Sequence, residues 1–459
     1  MEHTENKMGI KPIKPLLITM SLPMMVSMLV QALYNVVDSI FVSRVGEEAL
    51  TAVTLAFPLQ NLMIALGSGT GVGVNALLSR SLGEKAFDRS DASANTSILL
   101  TVCNYIVFLL IGVFGVSPFL ASQLRNAPTS DPAALALIQS YGNDYLRIIC
   151  CFSIGVFMQI NSERLLQATG RTFYSMLSQT AGALINILLD PILIFGYFGL
   201  PAMGVAGAAW ATVIGQCIGA AIALTLNLKK NPDIHLSVPQ ILKPRAAIVK
   251  EIYFVGIPSI LMMSIGSVMT YAFNLILMVF STTAATVFGI YFKLQSFFFM
   301  PIFGLNNGLV PIVSYNYGAR KKERITEALR FALLLAVCIM SIGTITFLAI
   351  PDTLLLMFKA SPDMLGIGRT ALRIISIHFP VAAVCIILGS TFQAFSKSYY
   401  SLVISCCRQL VVLIPAAYLL SLTGVVANVW WAFPIAEIFS LILSLTFFFK
   451  IRRDVIQNL

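Results

Sequence analysis

The chain has 459 residues, 58% of them hydrophobic and 11% charged, with a mean hydropathy of +0.86 and a formal net charge of +10. A soluble domain carries about a quarter charged residues. That class is excluded, and the composition implies an all-α polytopic membrane protein. The basic excess alone would suit nucleic acid, but its placement along the chain argues against such a partner.

The N-terminal residues 1–15 are polar and lack a cleavage signature. The first apolar run is too long for a cleaved signal, so it is expected to stay as an anchor. Apolar runs of about 20 residues or more mark spanning helices. These predict twelve spans, at roughly 16–43, 53–80, 93–122, 141–168, 172–198, 203–228, 250–280, 284–316, 325–350, 368–395, 398–420 and 427–449. The first span carries Gln31, Tyr34, Asn35 and Asp38 at i, i+3, i+4 and i+7, which is one helical face. The second carries Gln60 and the run GSGTGVG. Gly67, Gly69, Gly71 and Gly73 in that run resemble a phosphate loop, but no Lys-Ser/Thr follows. Inside an apolar helix they read better as close packing, Gly67 with Gly71 and Gly69 with Gly73.

The most informative stretch is residues 180–199, TAGALINILLDPILIFGYFG. It reads as a span bearing one carboxylate, Asp190, followed at once by Pro191. A charge at that depth is costly and usually faces a bundle interior or a wet cavity. Pro191 has no N–H and leaves the carbonyl of Ile187 without its helical partner. Gln179, Asn186 and Asp190 project from one face, with Gly182 and Ala183 leaving room beside them. Asp38 lies about 9 Å inside Arg44 and Asp190 about 10 Å inside Tyr197, so the two acids are expected at matching depth. Burial and like charge both penalise the doubly ionised pair, which favours a shared proton or a bound Na⁺.

Residues 229–249 read as a linker, with Pro232, Pro239 and Pro244. Beyond it, Tyr271, Phe273, Tyr291, Phe297, Phe298, Phe299 and Met300 are candidates for an adaptable aromatic pocket. Lys293 has no evident partner. If it stands in the cavity, an anionic or zwitterionic substrate is favoured. Arg408 and Glu437 each lie about 15 Å from the start of their helices and are expected to meet as a structural ion pair. The substrate-binding candidates are thus Gln31, Tyr34, Asn35, Gln60, Gln179, Tyr271, Tyr291, Lys293 and Gln295. His3 and His235 are expected on the cytoplasmic side, and His378 as a hydrogen-bonded core residue. The eight cysteines all lie in apolar segments without CxxC spacing, so no disulfide framework or zinc site is expected.

Basic residues orient the spans. With the N-terminus inside, the cytoplasmic side receives most of the Lys and Arg, in clusters at 7–14, 80–89, 229–250 and 320–330. The outer side keeps only Arg44, Arg125, Arg147, Lys359, Arg369 and Arg373. The second half repeats the first. A shift of 235 lays Pro23 on Pro258, Gln60 on Gln295, Gly69 on Gly304, Gly73 on Gly308, Ser79 on Ser314 and Gly83 on Gly318. A shift of 226 lays Leu146-Arg147-Ile148-Ile149 on Leu372-Arg373-Ile374-Ile375. A shift of 220 lays Trp210 on Trp430. The expected organisation is an N-lobe over 1–228, a linker over 229–249 and a C-lobe over 250–459. Each lobe has six helices, and a site is expected at the interface.

Twelve helices in two halves, a Pro-bearing first helix with Asp38, and Asn186…Asp190-Pro191 on helix 5 form one pattern. It continues with GVAGAAWAT at 204–212 and SRSLGEK at 79–85. Over essentially its whole length the chain resembles the multidrug and toxic compound extrusion (MATE) transporters, in their prokaryotic multidrug branch. The resemblance implies two V-shaped lobes and efflux of organic cations in antiport with H⁺ or Na⁺. It implies Asp38, Asn186, Asp190 and Thr212 as coupling residues. Some relatives carry a glutamate on helix 7, whereas residues 253–280 hold no acid here. The expected protein is a plasma-membrane exporter acting as a monomer on small molecules, with both termini cytoplasmic and no cofactor beyond the coupling cation. Alternatives are an exporter of anionic or zwitterionic metabolites and a flippase of lipid-linked sugars. An intramembrane enzyme is disfavoured, because no HExxH, GxSxG or acid–histidine cluster lies in the spans. The two-lobe repeat disfavours a channel.

Overall fold

The computed structural model describes residues 6–124, 132–358 and 360–459. His3, Arg125 and Lys359, placed above by sequence, lie outside the described residues. All regular structure among the described residues is helical. In chain order the long helices are α1 (Ile13–Ser43), α2 (Glu47–Gly83), α3 (Phe87–Leu124), α4 (Pro132–Cys151 with Ile154–Ala168), α5 (Thr172–Phe195) and α6 (Val205–Lys230). They continue with α7 (Ala246–Met278), α8 (Thr282–Gly318), α9 (Lys322–Ala349), α10 (Pro362–Ser376 with Phe379–Ala394), α11 (Ser398–Ser421) and α12 (Val426–Asn458). Ten are continuous and long and apolar enough to cross a membrane. With the bent pairs α4 and α10 counted as one span each, the described residues give twelve.

The two bends, 46° in α4 and 48° in α10, were read from sequence as continuous runs. They follow the repeated Leu-Arg-Ile-Ile motif in both halves. Pro380 explains the second, since its ring removes the N–H that Ser376 would need. The hydroxyl of Thr344 donates to that carbonyl at 2.8 Å instead. In α4, which has no proline at its break, the Ser153 hydroxyl donates to the carbonyl of Cys150 at 2.8 Å. α3 widens into a π-helical turn at Ile111–Gly115 and α11 at Cys407–Leu413.

The chain forms two compact units, neither of them continuous in sequence. One comprises Val26–Leu78 and Ala86–Tyr253. The other comprises the chain up to Met25, Ser79–Lys85 and Phe254–Leu459. They are called below the acidic-site unit and the aromatic unit.

In the acidic-site unit the core gathers Met63, Phe108, Tyr145, Leu146, Phe157 and Val213. α5 and α6 form a hairpin. Gly196, at φ +76°, closes α5, and a Cβ there would come within 2.6 Å of the Ala202 nitrogen. The chain then returns, with Met203 and Gly204 donating to the carbonyls of Leu193 and Ile194. The α5 and α6 backbones touch at Gly182 and Gly215, where a Cβ on Gly215 would lie 2.7 Å from the Gly182 oxygen. Residues 231–245 are docked rather than loose. Buried Asn95 donates to the carbonyl of His235 and to Gln240 Oε1, and it accepts from the Ser237 N–H.

In the aromatic unit the core is a wall of rings. Phe273, Phe288, Tyr291, Phe347, Phe379, Trp430 and Phe433 pack at centroid separations of 4.7–6.5 Å. α1 and α8 meet at Gly304 and Gly308, where a Cβ would strike the backbones of Met25 and Ser21. Gly83 and Gly318 pack in the same way, against the carbonyls of Tyr315 and Arg80. The run of helical glycines is therefore a packing device. Gly73 likewise abuts the carbonyl of Ile252.

Candidate functional site

Close approach of α5 and α6 at Gly182 and Gly215 lets the side chain of Asn186 reach Thr212 on the facing helix. Both are buried, as is Asp190 one turn on. Asn186 is best oriented with its Nδ2 donating to Asp190 Oδ2 at 3.2 Å. Its oxygen then accepts from the N–H of Thr212 at 3.0 Å and from its hydroxyl at 3.1 Å. This orientation is the one that satisfies every hydrogen-bonding atom of the amide. α1 brings the second acid. Asp38 lies within electrostatic reach of Asp190, and both act on Tyr34 and Tyr145. The Tyr34 hydroxyl is hydrogen-bonded to Thr212. Tyr145, from α4, accepts a bond from Gln60 Nε2 of α2 at 3.2 Å.

The site therefore draws on five helices of one unit: α1, α2, α4, α5 and α6. Two of its oxygens stand out. Asp38 Oδ1 and Asp190 Oδ1 are buried and meet no hydrogen-bond donor. A buried carboxylate oxygen without a donor is costly. A proton or a small cation would relieve both. Among the described residues no three His, Cys, Asp or Glu side chains converge. A cation here would thus share the two carboxylates with neutral oxygens of Asn186, Thr212 or the tyrosines. That donor set suits a hard monovalent ion such as Na⁺, or a proton, and not a soft transition metal.

The other sequence candidates divide by place. Gln179 donates to Gln31 at 3.0 Å, bridging α5 to α1 about two turns from Asp38 and three from Asp190. Asn35 is exposed on α1. Tyr271 and Lys293 are exposed on α7 and α8, and Gln295 is half-buried. Tyr291 is buried in the ring wall and Phe273 with it, so neither lines an open surface in this structure. Arg408 and Glu437 meet at 3.3 Å, with Glu437 buried. His378 is buried and its Nδ1 is bonded to the carbonyl of Ile375.

Two polar residues escaped the sequence reading. Tyr145 reads as an ordinary aromatic. Glu163 reads as part of a polar helix end, yet it is buried. Its Oε1 accepts from Gln159 at 3.0 Å and from Ser178 of α5 at 3.3 Å. The repeat offered a signal for the first. Shifts that superpose the two halves lay Asp38 on Phe273 and Tyr145 on Ala371. The pattern is kept there and the chemistry is not. The aromatic unit fills the place equivalent to Asp38 with a ring that is 0% exposed.

Comparison with known proteins agrees with this architecture. The MatE family model matches residues 23–192 and 258–419, stretches that begin at Pro23 and Pro258. The chain is 26% identical over 434 residues to "Multidrug export protein MepA" of Staphylococcus haemolyticus (strain JCSC1435), covering 94% of this chain and 92% of that one. It is 25% identical over 427 residues to the protein of the same name from Staphylococcus aureus (strain MSSA476), covering 93% and 91%. Among solved structures, "Outward-facing conformation of a multidrug resistance MATE family transporter of the MOP superfamily" superposes with a TM-score of 0.91 at 24% identity, over 100% of both chains. "Crystal structure of MATE in complex with MaL6" superposes with a TM-score of 0.86 at 25% identity, over 99% of both. The chain belongs to the MatE family of multidrug export transporters.

Proposed function

We propose that the protein exports organic cations across the plasma membrane in antiport with H⁺ or Na⁺, and that Asp38 and Asp190 bind the coupling cation. The observation that carries this reading is the pair of buried, donorless carboxylate oxygens in one unit. Each acid is left with capacity for one positive charge. The cation enters from outside and neutralises the pair. Neutralisation relaxes the network through Asn186, Thr212 and Tyr34, rearranges the helices at Pro23 and Pro191, and favours outward release of the substrate. Loss of the cation to the inside favours the inward-open state. Each charge moved across the membrane contributes about 2.3 kcal/mol per 100 mV. Coupling by a buried carboxylate pair therefore converts an ordinary membrane potential into drug export. The clustered Lys and Arg support a topology with both termini and the linker in the cytoplasm. The chain acts on small molecules within the bilayer, as a monomer.

Drug accumulation in cells tests this. Cells expressing the protein accumulate less of a cationic dye than control cells, and an ionophore that collapses the proton or sodium gradient abolishes the difference. Export that persists after both gradients are collapsed contradicts the reading. A second reading rests on Lys293, which is exposed on a spanning helix and has no ion pair among the described residues. It favours an anionic or zwitterionic substrate. Competition of dye export by organic anions, lost in Lys293→Ala, separates the two.

A further inference from the structure

The aromatic unit contains a polar seam that the cycle above does not use. α11 and α12 run antiparallel, with Arg408 against Glu437 at 3.3 Å and Tyr400 against Phe447 at a centroid distance of 4.5 Å. Along this stretch α12 presents Glu437, Ser440 and Ser444 at i, i+3 and i+7, on one face. All three are buried, at 3%, 1% and 0% exposure. Ser444 Oγ has no hydrogen-bond partner, and Glu437 Oε1 and Ser440 Oγ meet nothing but the weakly bonding thiol of Cys385. Ser398 Oγ at the start of α11 likewise has no partner. A helical hydroxyl in this chain usually bonds the carbonyl one turn back, as those of Ser259, Ser390 and Thr446 do. The seam serines forgo that bond. Buried polar atoms left without protein partners are ordinarily held by water.

The seam has two ends. At one, Glu437 is faced by Arg408 of α11, Tyr291 of α8, and His378 and Cys385 of α10. α7 brings the ring of Phe273 to this region and passes the neighbouring Gln409 at Gly266. At the other end Ser398 adjoins Lys397, at the same end of the unit as Lys450. Glu437 and Ser444 are separated by about 10 Å of helix, a span of a few waters. α11 is π-helical over Cys407–Leu413, the segment bearing Arg408, and such turns often mark functional positions.

We propose that Glu437, Ser440, Ser444 and Ser398 line a chain of ordered waters that carries protons between a second carboxylate, Glu437, and the lysine-bearing end of the unit. A proton delivered to Glu437 loosens its pairing with Arg408, and the carboxyl passes that proton to the water on Ser440. That water passes a proton to the next, and one proton emerges at the far end. The carboxylate left behind is paired by Arg408. This adds a proton site in the aromatic unit to the carboxylate pair of the other unit. It draws its acid from α12, where α7 has none.

The test uses the full-length protein in proteoliposomes, with the native cysteines replaced and a single Ser444→Cys or Ser440→Cys introduced. A membrane-impermeant methanethiosulfonate is added on the lysine-bearing side. Ser444→Cys is expected to react at least about tenfold faster than Ser259→Cys, a buried serine of the same unit whose hydroxyl is bonded to its own helix. In the unaltered cysteine background, Glu437→Gln is expected to flatten the pH profile of dye export and lower its rate severalfold at unchanged KM. Labelling of Ser444→Cys no faster than that of Ser259→Cys overturns the water chain. An unchanged pH profile in Glu437→Gln overturns the proton site. Only this pH arm rests on the proposed antiport. Labelling requires no export, and Asp38→Asn should leave it unaltered, so the two proposals fail separately.

Discussion

Asp190 is fully buried, yet one of its oxygens meets no donor, while Asn186 holds the other at 3.2 Å. Asn186 therefore aims the carboxylate. Asn186→Ala is predicted to lower export at least as much as one lost charge-assisted bond implies, about tenfold, read as dye efflux from loaded vesicles. Tyr145→Phe keeps the ring and deletes the hydroxyl that binds Gln60. A net bond of about 1 kcal/mol predicts a roughly fivefold loss. The Asp352–Arg369 bridge supplies a control. Arg369 bonds both oxygens of Asp352 at 2.8 and 2.7 Å and holds that carboxyl below the usual carboxylate range. With the folded value depressed, its contribution is complete above about pH 4 and is lost as pH falls through the lower value. Asp352→Asn is thus predicted to leave the pH profile of export unchanged between about pH 6 and 8. Asp38, Asn186 and Asp190 are conspicuous in the sequence, because polar residues at helical spacing stand out in an apolar run. Tyr145 and Glu163 were not legible. A hydroxylated ring and a helix-end acid are common, and only tertiary packing shows which are buried.

Helix contacts are set by what is missing as much as by what is present. Gly215→Ala places a Cβ 2.7 Å from the Gly182 oxygen and 3.1 Å from the Asn186 Cβ. Forcing α5 from α6 is predicted to cost about 1–3 kcal/mol and to break the Asn186–Thr212 contact, seen as a lowered Tm together with lost export. Gly366→Ala, with nothing within 4 Å of the new atom, is predicted to stabilise α10 by about 0.5–1 kcal/mol in the same melting assay. Thr344→Val removes the donor to the Ser376 carbonyl, and a Tm drop equivalent to about 1–3 kcal/mol is expected. Although α4 starts at Pro132 and not near 141, the long apolar runs were readable as helices. The 46° and 48° bends were not, because hydropathy is blind to direction. Pro380 lies at one bend, and no proline lies at its counterpart in α4. Helix starts were also misjudged. α3 begins at Phe87, with Ser90, Ser93 and Asn95 buried and Asn95 bonded to the linker.

At the scale of the whole chain, the repeat organises the backbone and function departs from it. The same glycines recur in both halves at 73 and 308 and at 83 and 318, and each of them meets backbone or main-chain oxygen. The acids do not recur, for Phe273 stands where Asp38 would. A duplicated scaffold thus carries its carboxylate pair in one unit and a wall of rings in the other. The repeat was visible in sequence because packing glycines and prolines cannot be exchanged cheaply. The composition of the two units was not, since the first helical segment divides between them near Met25 and α7 near Tyr253. The central claim is that the Asp38–Asp190 pair couples cation flow to export. The most direct measurement is uphill uptake of a cationic dye into proteoliposomes under an imposed proton or sodium gradient, for the native chain and for Asp190→Asn. The native chain should concentrate dye above its equilibrium level, and Asp190→Asn should only exchange it downhill. Concentration of dye by Asp190→Asn at the native rate would contradict the account.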